Sequence, residues 1–152
     1  MIDRWIAEAT ECDFKVALEV KKPKSWLKSV SAFANGIGGT LFFGIDDDRN
    51  VIGLSDAQTD AETISRLIKE RIMPYPSFIL APERESGKDI LVLSVSAGRS
   101  TPYYYKADGI MEAYIRMGNE SVIATSYAMN QLILNGMHRT YAELGSEYDF
   151  KH

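Results

Sequence analysis

Apolar residues along the chain change spacing several times, and each change marks an expected element. From residue 25 to 35, Leu27, Val30 and Ala34 recur on one helical stripe flanked by Trp26 and Phe33, which predicts a helix. Asn35-Gly36 should stop it, with glycine supplying a left-handed residue after the last turn. The run Thr40-Leu41-Phe42-Phe43-Gly44-Ile45 reads as a buried strand, Asp46 to Asn50 as a polar turn, and Val51 to Leu54 as a returning strand. Helical spacing returns at Ala61, Ile64, Leu67, Ile68 and Ile72, predicting a helix over 60–72 that ends before Pro74. Strands are expected near 77–85 and 89–96 with a turn at Ser86-Gly87, followed by a short one at 103–106.

Strict alternation marks 111–117, where Met111, Ala113, Ile115 and Met117 face one way and Glu112, Tyr114 and Arg116 the other. A last helix is expected over 126–135, stopping at Gly136, while residues 3–9 and 12–16 suggest a short helix and a short strand at the start. Hairpins mixed with helices indicate an α+β fold, with a mixed, mainly antiparallel sheet and flanking helices. Its 152 residues suit a single domain, 1–152.

Composition narrows the chemistry. Cys12 is the only cysteine and His138 and His152 the only histidines, so one subunit can build neither a disulfide nor a Cys/His zinc site. A metal would need oxygen ligands, which favours magnesium, manganese or calcium. No apolar run is long enough to cross a bilayer, and Met1 to Trp5 lacks the pattern of a signal peptide, so the cytoplasm is the expected location.

The net charge of −4 opposes polyanion binding at first sight. Its distribution does not: Lys15, Lys21, Lys22, Lys24 and Lys28 face only Glu19 within their span, a local +4 against −8 elsewhere. Such a run is also what a solvated loop and helix face would carry.

Three constellations are candidates for chemistry. Asn35-Gly36-Ile37-Gly38-Gly39-Thr40 imitates a phosphate loop, but its glycines follow a helix and precede a strand, the reverse of the required order. A tight helix-to-strand turn is the better reading. Glu8, Asp13 and Asp46 are carboxylates that, if they converge, would hold Mg2+ or Mn2+ for phosphodiester cleavage; solvated charge and turn chemistry are the competing explanation. Tyr103, Tyr104, Tyr105 and Lys106, with Tyr114 and Arg116 on a neighbouring strand, would offer stacking surface and phosphate contacts; the competing expectation is that Tyr104 is core while Tyr103 and Tyr105 cover the sheet edge.

Together these residues resemble the Schlafen AlbA-type domain. Glu8-Ala9-Thr10-Glu11-Cys12-Asp13-Phe14-Lys15 is similar to the family's opening pattern, with Asp13 where the family has glutamate. Val30 to Asp48 resembles its helix ending in Ala-Phe-Ala-Asn, its Gly-Gly turn and its Gly-Ile-Asp strand end. Ile72-Met73-Pro74, Pro102-Tyr103 and Tyr114-Ile115-Arg116-Met117-Gly118-Asn119 extend the match over about 8–136.

The resemblance implies DNA or RNA binding, as in bacterial relatives regarded as transcriptional regulators, in which this domain precedes further regions. On that reading Lys15, Lys21, Lys22, Lys24, Lys28 and Arg116 meet phosphate, while Tyr103, Tyr105 and Tyr114 meet bases. Some vertebrate relatives cleave RNA, and their acidic triad falls on Glu8, Asp13 and Asp46. A homodimer would form a groove between two copies. A metal-dependent endonuclease and a protein-interaction or dimerisation domain are the alternatives.

Overall fold

The computed structural model describes residues 11–148. The helix expected over 3–9 and the candidate ligand Glu8 lie outside them. Among the described residues, two four-stranded sheets and three helices make an α+β fold.

The first sheet has the order β1-β2-β5-β4, where β1 is Cys12–Lys15, β2 is Gly39–Phe43, β4 is Phe78–Glu85 and β5 is Lys88–Val95. Only β1 and β2 run parallel. The second sheet, all antiparallel, has the order β3-β6-β7-β8: Ile72–Met73, Tyr104–Ala107, Ile110–Met117 and Glu120–Ile123. Helix α1, Lys24–Asn35, packs between the sheets, and α2, Ala57–Arg71, joins the same core.

Alternation explains the layers. Leu41 and Phe43 of β2 join Leu91, Leu93 and Val95 of β5 in packing toward α1, where Trp26 meets the Phe43 ring edge-on at 5.6 Å. Phe42 points to the other face and, with Ile45, Ile90 and Val92, forms a second fully buried cluster, stacking on Phe14 at 5.3 Å. Alternation along β7 has the expected phase, since Tyr114 is buried in the α1 core and Arg116 lies over the ring of Phe33 on α1.

Several boundaries differ from expectation. Helix α2 starts earlier because the Asp56 carboxylate accepts from the Thr59 backbone N–H, a standard N-cap. Ile72 leaves the helix to pair with Tyr105. The returning strand reduces to one bridge, Ile45 to Val51, with the N–H groups of Ile52 and Gly53 both donating to the Gly44 carbonyl. Strand β8 is an addition, reached through a tight turn at Gly118, whose φ is 63°.

Helix α1 does end at Asn35, but Gly36 has a φ of −118°, and the left-handed residue is Gly38 at 87°. A side chain on Gly38 would strike the Val95 carbonyl, and one on Gly39 the Phe33 ring. These glycines serve close packing of helix and strand. Gly136 is no stop either: α3 runs through it, Ser126–Tyr148. Its missing side chain lets the helix backbone lie against the Thr101 carbonyl, while the Thr101 hydroxyl donates to Leu132 O at 2.6 Å.

Candidate nucleic-acid interface

Helix α1 is aimed by two polar side chains. Ser31 Oγ donates to Tyr103 O at 2.8 Å and accepts from Tyr114 N at 3.0 Å. Asn35 Nδ2 donates to Tyr103 O at 3.0 Å and to Tyr114 O at 2.9 Å, while its Oδ1 accepts from Tyr103 N at 2.7 Å. These bonds satisfy backbone groups of Tyr103, just before β6, and of Tyr114 on β7 that would otherwise be buried without partners. They also fix the direction in which the far end of α1 points.

That far end opens into a cleft of about 770 Å³ between α1, the end of α2 and strands β6 to β8. Lys21 and Lys22 of the preceding loop, Lys24 and Lys28 of α1, and Arg71 of α2 line it. Asp108 is the one carboxylate residue among those lining it. Among the described residues, Lys21, Lys22, Lys28 and Arg71 have no ion-pair partner. Lys24 is engaged, its Nζ 3.0 Å from Glu112 Oε1.

The first turn of α1 carries no acidic residue and its start has no side-chain cap. The positive end of the helix dipole therefore adds to the lysines.

Four of the six cations expected to meet phosphate are thus brought together. Lys15 and Arg116 are not among the lining residues. Lys15 sits on β1, paired with Phe43 in the first sheet. The Arg116 side chain is only 8% exposed, because its guanidinium is spent internally. It donates to Ser121 Oγ at 2.8 Å, to Cys12 O at 3.0 Å and to Asp13 Oδ2 at 3.4 Å, and lies 5.0 Å above the Phe33 ring centroid. Arg116 joins the two sheets. A phosphate contact through it would break this clamp.

The tyrosines are largely core. Tyr103, Tyr105 and Tyr114 are 6%, 6% and 3% exposed, too little ring face for a base to stack on. Tyr103 is not among the residues lining the cleft, and its hydroxyl accepts from Ser100 N at 3.3 Å. Tyr105 and Tyr114 form part of the wall.

Nothing local in the sequence marks Arg71 as part of the cleft. Arg71 lies 43 positions beyond Lys28, and a basic residue in a helix's last turn reads as dipole compensation. Only the turn from α2 into β3 brings it to the lysines.

Of the candidate carboxylates, the two within the described residues, Asp13 and Asp46, are committed elsewhere. Asp13 Oδ2 accepts from Ser29 Oγ at 2.6 Å as well as from Arg116, and Ser29 in turn meets Ser121 Oγ at 2.9 Å. Asp46 folds its own turn: Oδ1 accepts from the N–H groups of Asp48 and Asn50 at 2.9 and 2.8 Å, and Oδ2 from Asn50 Nδ2 at 3.2 Å. These bonds, above all that from the Asn50 backbone, hold the Asp46 carboxyl below its usual range. Among the described residues, no three Asp, Glu, His or Cys side chains are arranged to hold a metal ion. Burial raises the Cys12 thiol above its ordinary value, which disfavours the thiolate.

The profile of the family described as Schlafen, AlbA_2 matches residues 8–125, and the chain belongs to that family. Among solved structures, it is similar to the N-terminal domain of a protein described as related to the ATP-dependent DNA helicase RecG, from Nitrosomonas europaea. That match has 25% identity and a TM-score of 0.56, covering 82% of this chain and 90% of the other. It is also similar in fold to the DIP2311 protein of Corynebacterium diphtheriae, with 21% identity and a TM-score of 0.54 over 75% of this chain. It spans about 25% of that protein's chain. No helix among the described residues is long and apolar enough to cross a membrane.

Proposed function

We propose that this domain binds nucleic acid by seating backbone phosphates in the cleft at the start of α1, as one module of a larger regulatory or DNA-processing protein. One observation carries the reading: a chain of net charge −4 gathers Lys21, Lys22, Lys24, Lys28 and Arg71 around one opening. Membership of the family and the likeness to a domain of a RecG-related protein support it. The burial of the three tyrosines favours backbone contacts over base stacking, so affinity should depend weakly on base sequence. The engagement of Asp13 by Arg116 and of Asp46 by its own turn favours binding over metal-dependent cleavage.

Fluorescence anisotropy with labelled oligonucleotides tests this. Micromolar or tighter binding at low salt is expected, weakening steeply as salt is added. Changing Lys28 and Arg71 together to Gln should weaken it roughly tenfold or more and reduce the log–log salt slope by about 2. Binding that ignores both changes would place the polyanion elsewhere.

A further inference from the structure

The five cations of the cleft are not equally free. Lys24 is the one held by a carboxylate, and the two partners differ in how firmly they are placed. Glu112 stands on β7 opposite Tyr105 of β6, its side chain 23% exposed. Tyr114 OH donates to Glu112 Oε1 at 3.0 Å and keeps that carboxylate in place. Lys24, 48% exposed and 6.0 Å from the Tyr105 ring centroid, is a flexible stem free to swing toward the opening. A fixed acid thus holds a mobile amine beside four cations that have no ion-pair partner among the described residues.

We infer that Glu112 is an internal competitor for the polyanion, occupying Lys24 in the empty cleft and setting how tightly a phosphodiester backbone is held there. The inference rests on the cleft reading above. Binding exchanges one partner of Lys24 for another, a carboxylate oxygen for a phosphate oxygen, and returns Glu112, 23% exposed, to the Tyr114 hydroxyl and water. Breaking the pair opposes association. The other four cations need no such exchange, so Glu112 sets affinity and leaves the site's location to them.

Glutamine at this position keeps the size and the acceptor for Tyr114 while removing the charge. Glu112→Gln should bind a labelled oligonucleotide about 3- to 10-fold tighter at low salt. Lys24→Gln should weaken binding more in the Glu112→Gln protein than in the wild type, because only there is the amine unengaged. In the unmutated protein, the Glu112 carboxyl carbon resonance should shift as oligonucleotide saturates the cleft, a readout independent of any variant's folding.

If Glu112→Gln binds with unchanged or weaker affinity, or the carboxyl resonance stays still at saturation, Glu112 is only a surface ion pair and the inference fails while the cleft reading stands. If neither wild type nor Glu112→Gln binds any oligonucleotide, the cleft reading falls and takes the inference with it.

Discussion

Asn35 and Tyr103 hold each other in both directions: the Tyr103 N–H donates to the Asn35 amide oxygen at 2.7 Å, and the Asn35 amide nitrogen donates to the Tyr103 carbonyl at 3.0 Å. A further bond to Tyr114 O reaches the next strand. Asn35→Asp keeps the acceptor, loses both donors and sets a negative charge against two carbonyl oxygens. It should cost about 2–4 kcal/mol in urea unfolding, mostly through groups left without partners.

Arg116 and Asp13 should behave as a structural pair. Removing Asp13 leaves the buried Arg116 guanidinium with Glu11, at 3.9 Å, as its nearest carboxylate, and removing Arg116 leaves Asp13, 24% exposed, to Ser29 and water, so Asp13→Ala and Arg116→Met are each expected to destabilise by about 1–3 kcal/mol. A double-mutant cycle should return a coupling of about 1–3 kcal/mol. Activity lost in an Asp13 variant must therefore be read against its unfolding curve.

Gly136→Ala offers a test of sign. At an open helical position the change would stabilise by up to about 1 kcal/mol. Here the new methyl group meets the Thr101 carbonyl, so thermal unfolding should show a loss of about 1–3 kcal/mol instead.

The Lys24–Glu112 pair predicts a pH dependence of stability with opposite signs on its two limbs. The hydrogen bond from Lys24 holds the Glu112 carboxyl below its ordinary 4.5, so its contribution is present above that value and disappears as the pH falls through the depressed one. Hydrogen bonds to Glu112 and Tyr114 raise Lys24 above 10.5, so its contribution is full below that value and is lost as the pH rises through the raised one. Glu112→Gln should flatten the acid limb in urea titrations between pH 3 and pH 6.

Within the cleft reading, Lys15 and Lys28 should separate. Both were expected to meet phosphate, yet Lys28 lines the cleft and Lys15 belongs to the first sheet. Lys28→Gln should weaken oligonucleotide binding several-fold, and Lys15→Gln by less than about twofold at the same salt concentration.

What could be read from the sequence follows from the range of the interactions. Apolar periodicity is local, so helix α1, strands β2, β4, β5 and β7 and the phase of Tyr114 and Arg116 followed from neighbours in the chain. Gly118-Asn119 stands out in the sequence only as part of a motif, and the four-residue strand behind it is too short to carry a period of its own. Gly136 looked like a helix end because the residue it accommodates, Thr101, is 35 positions away.

The site divides the same way. Four lysines clustered in sequence stayed clustered in space, while Arg71 arrived through the fold. Arg116 was withdrawn by partners on β1 and β8 that its own strand does not reveal.

Helix α1 is tied to the second sheet through Ser31 and Asn35 and seated on the core through Trp26 and Leu27, so Lys24 and Lys28 ride on a strut braced along its length. Loosening the brace at Asn35 would shift the seat of those lysines relative to Arg71 although no ligand atom comes near it, so damage at the Gly-rich end of the helix should look, in a binding assay, like damage to the grip itself.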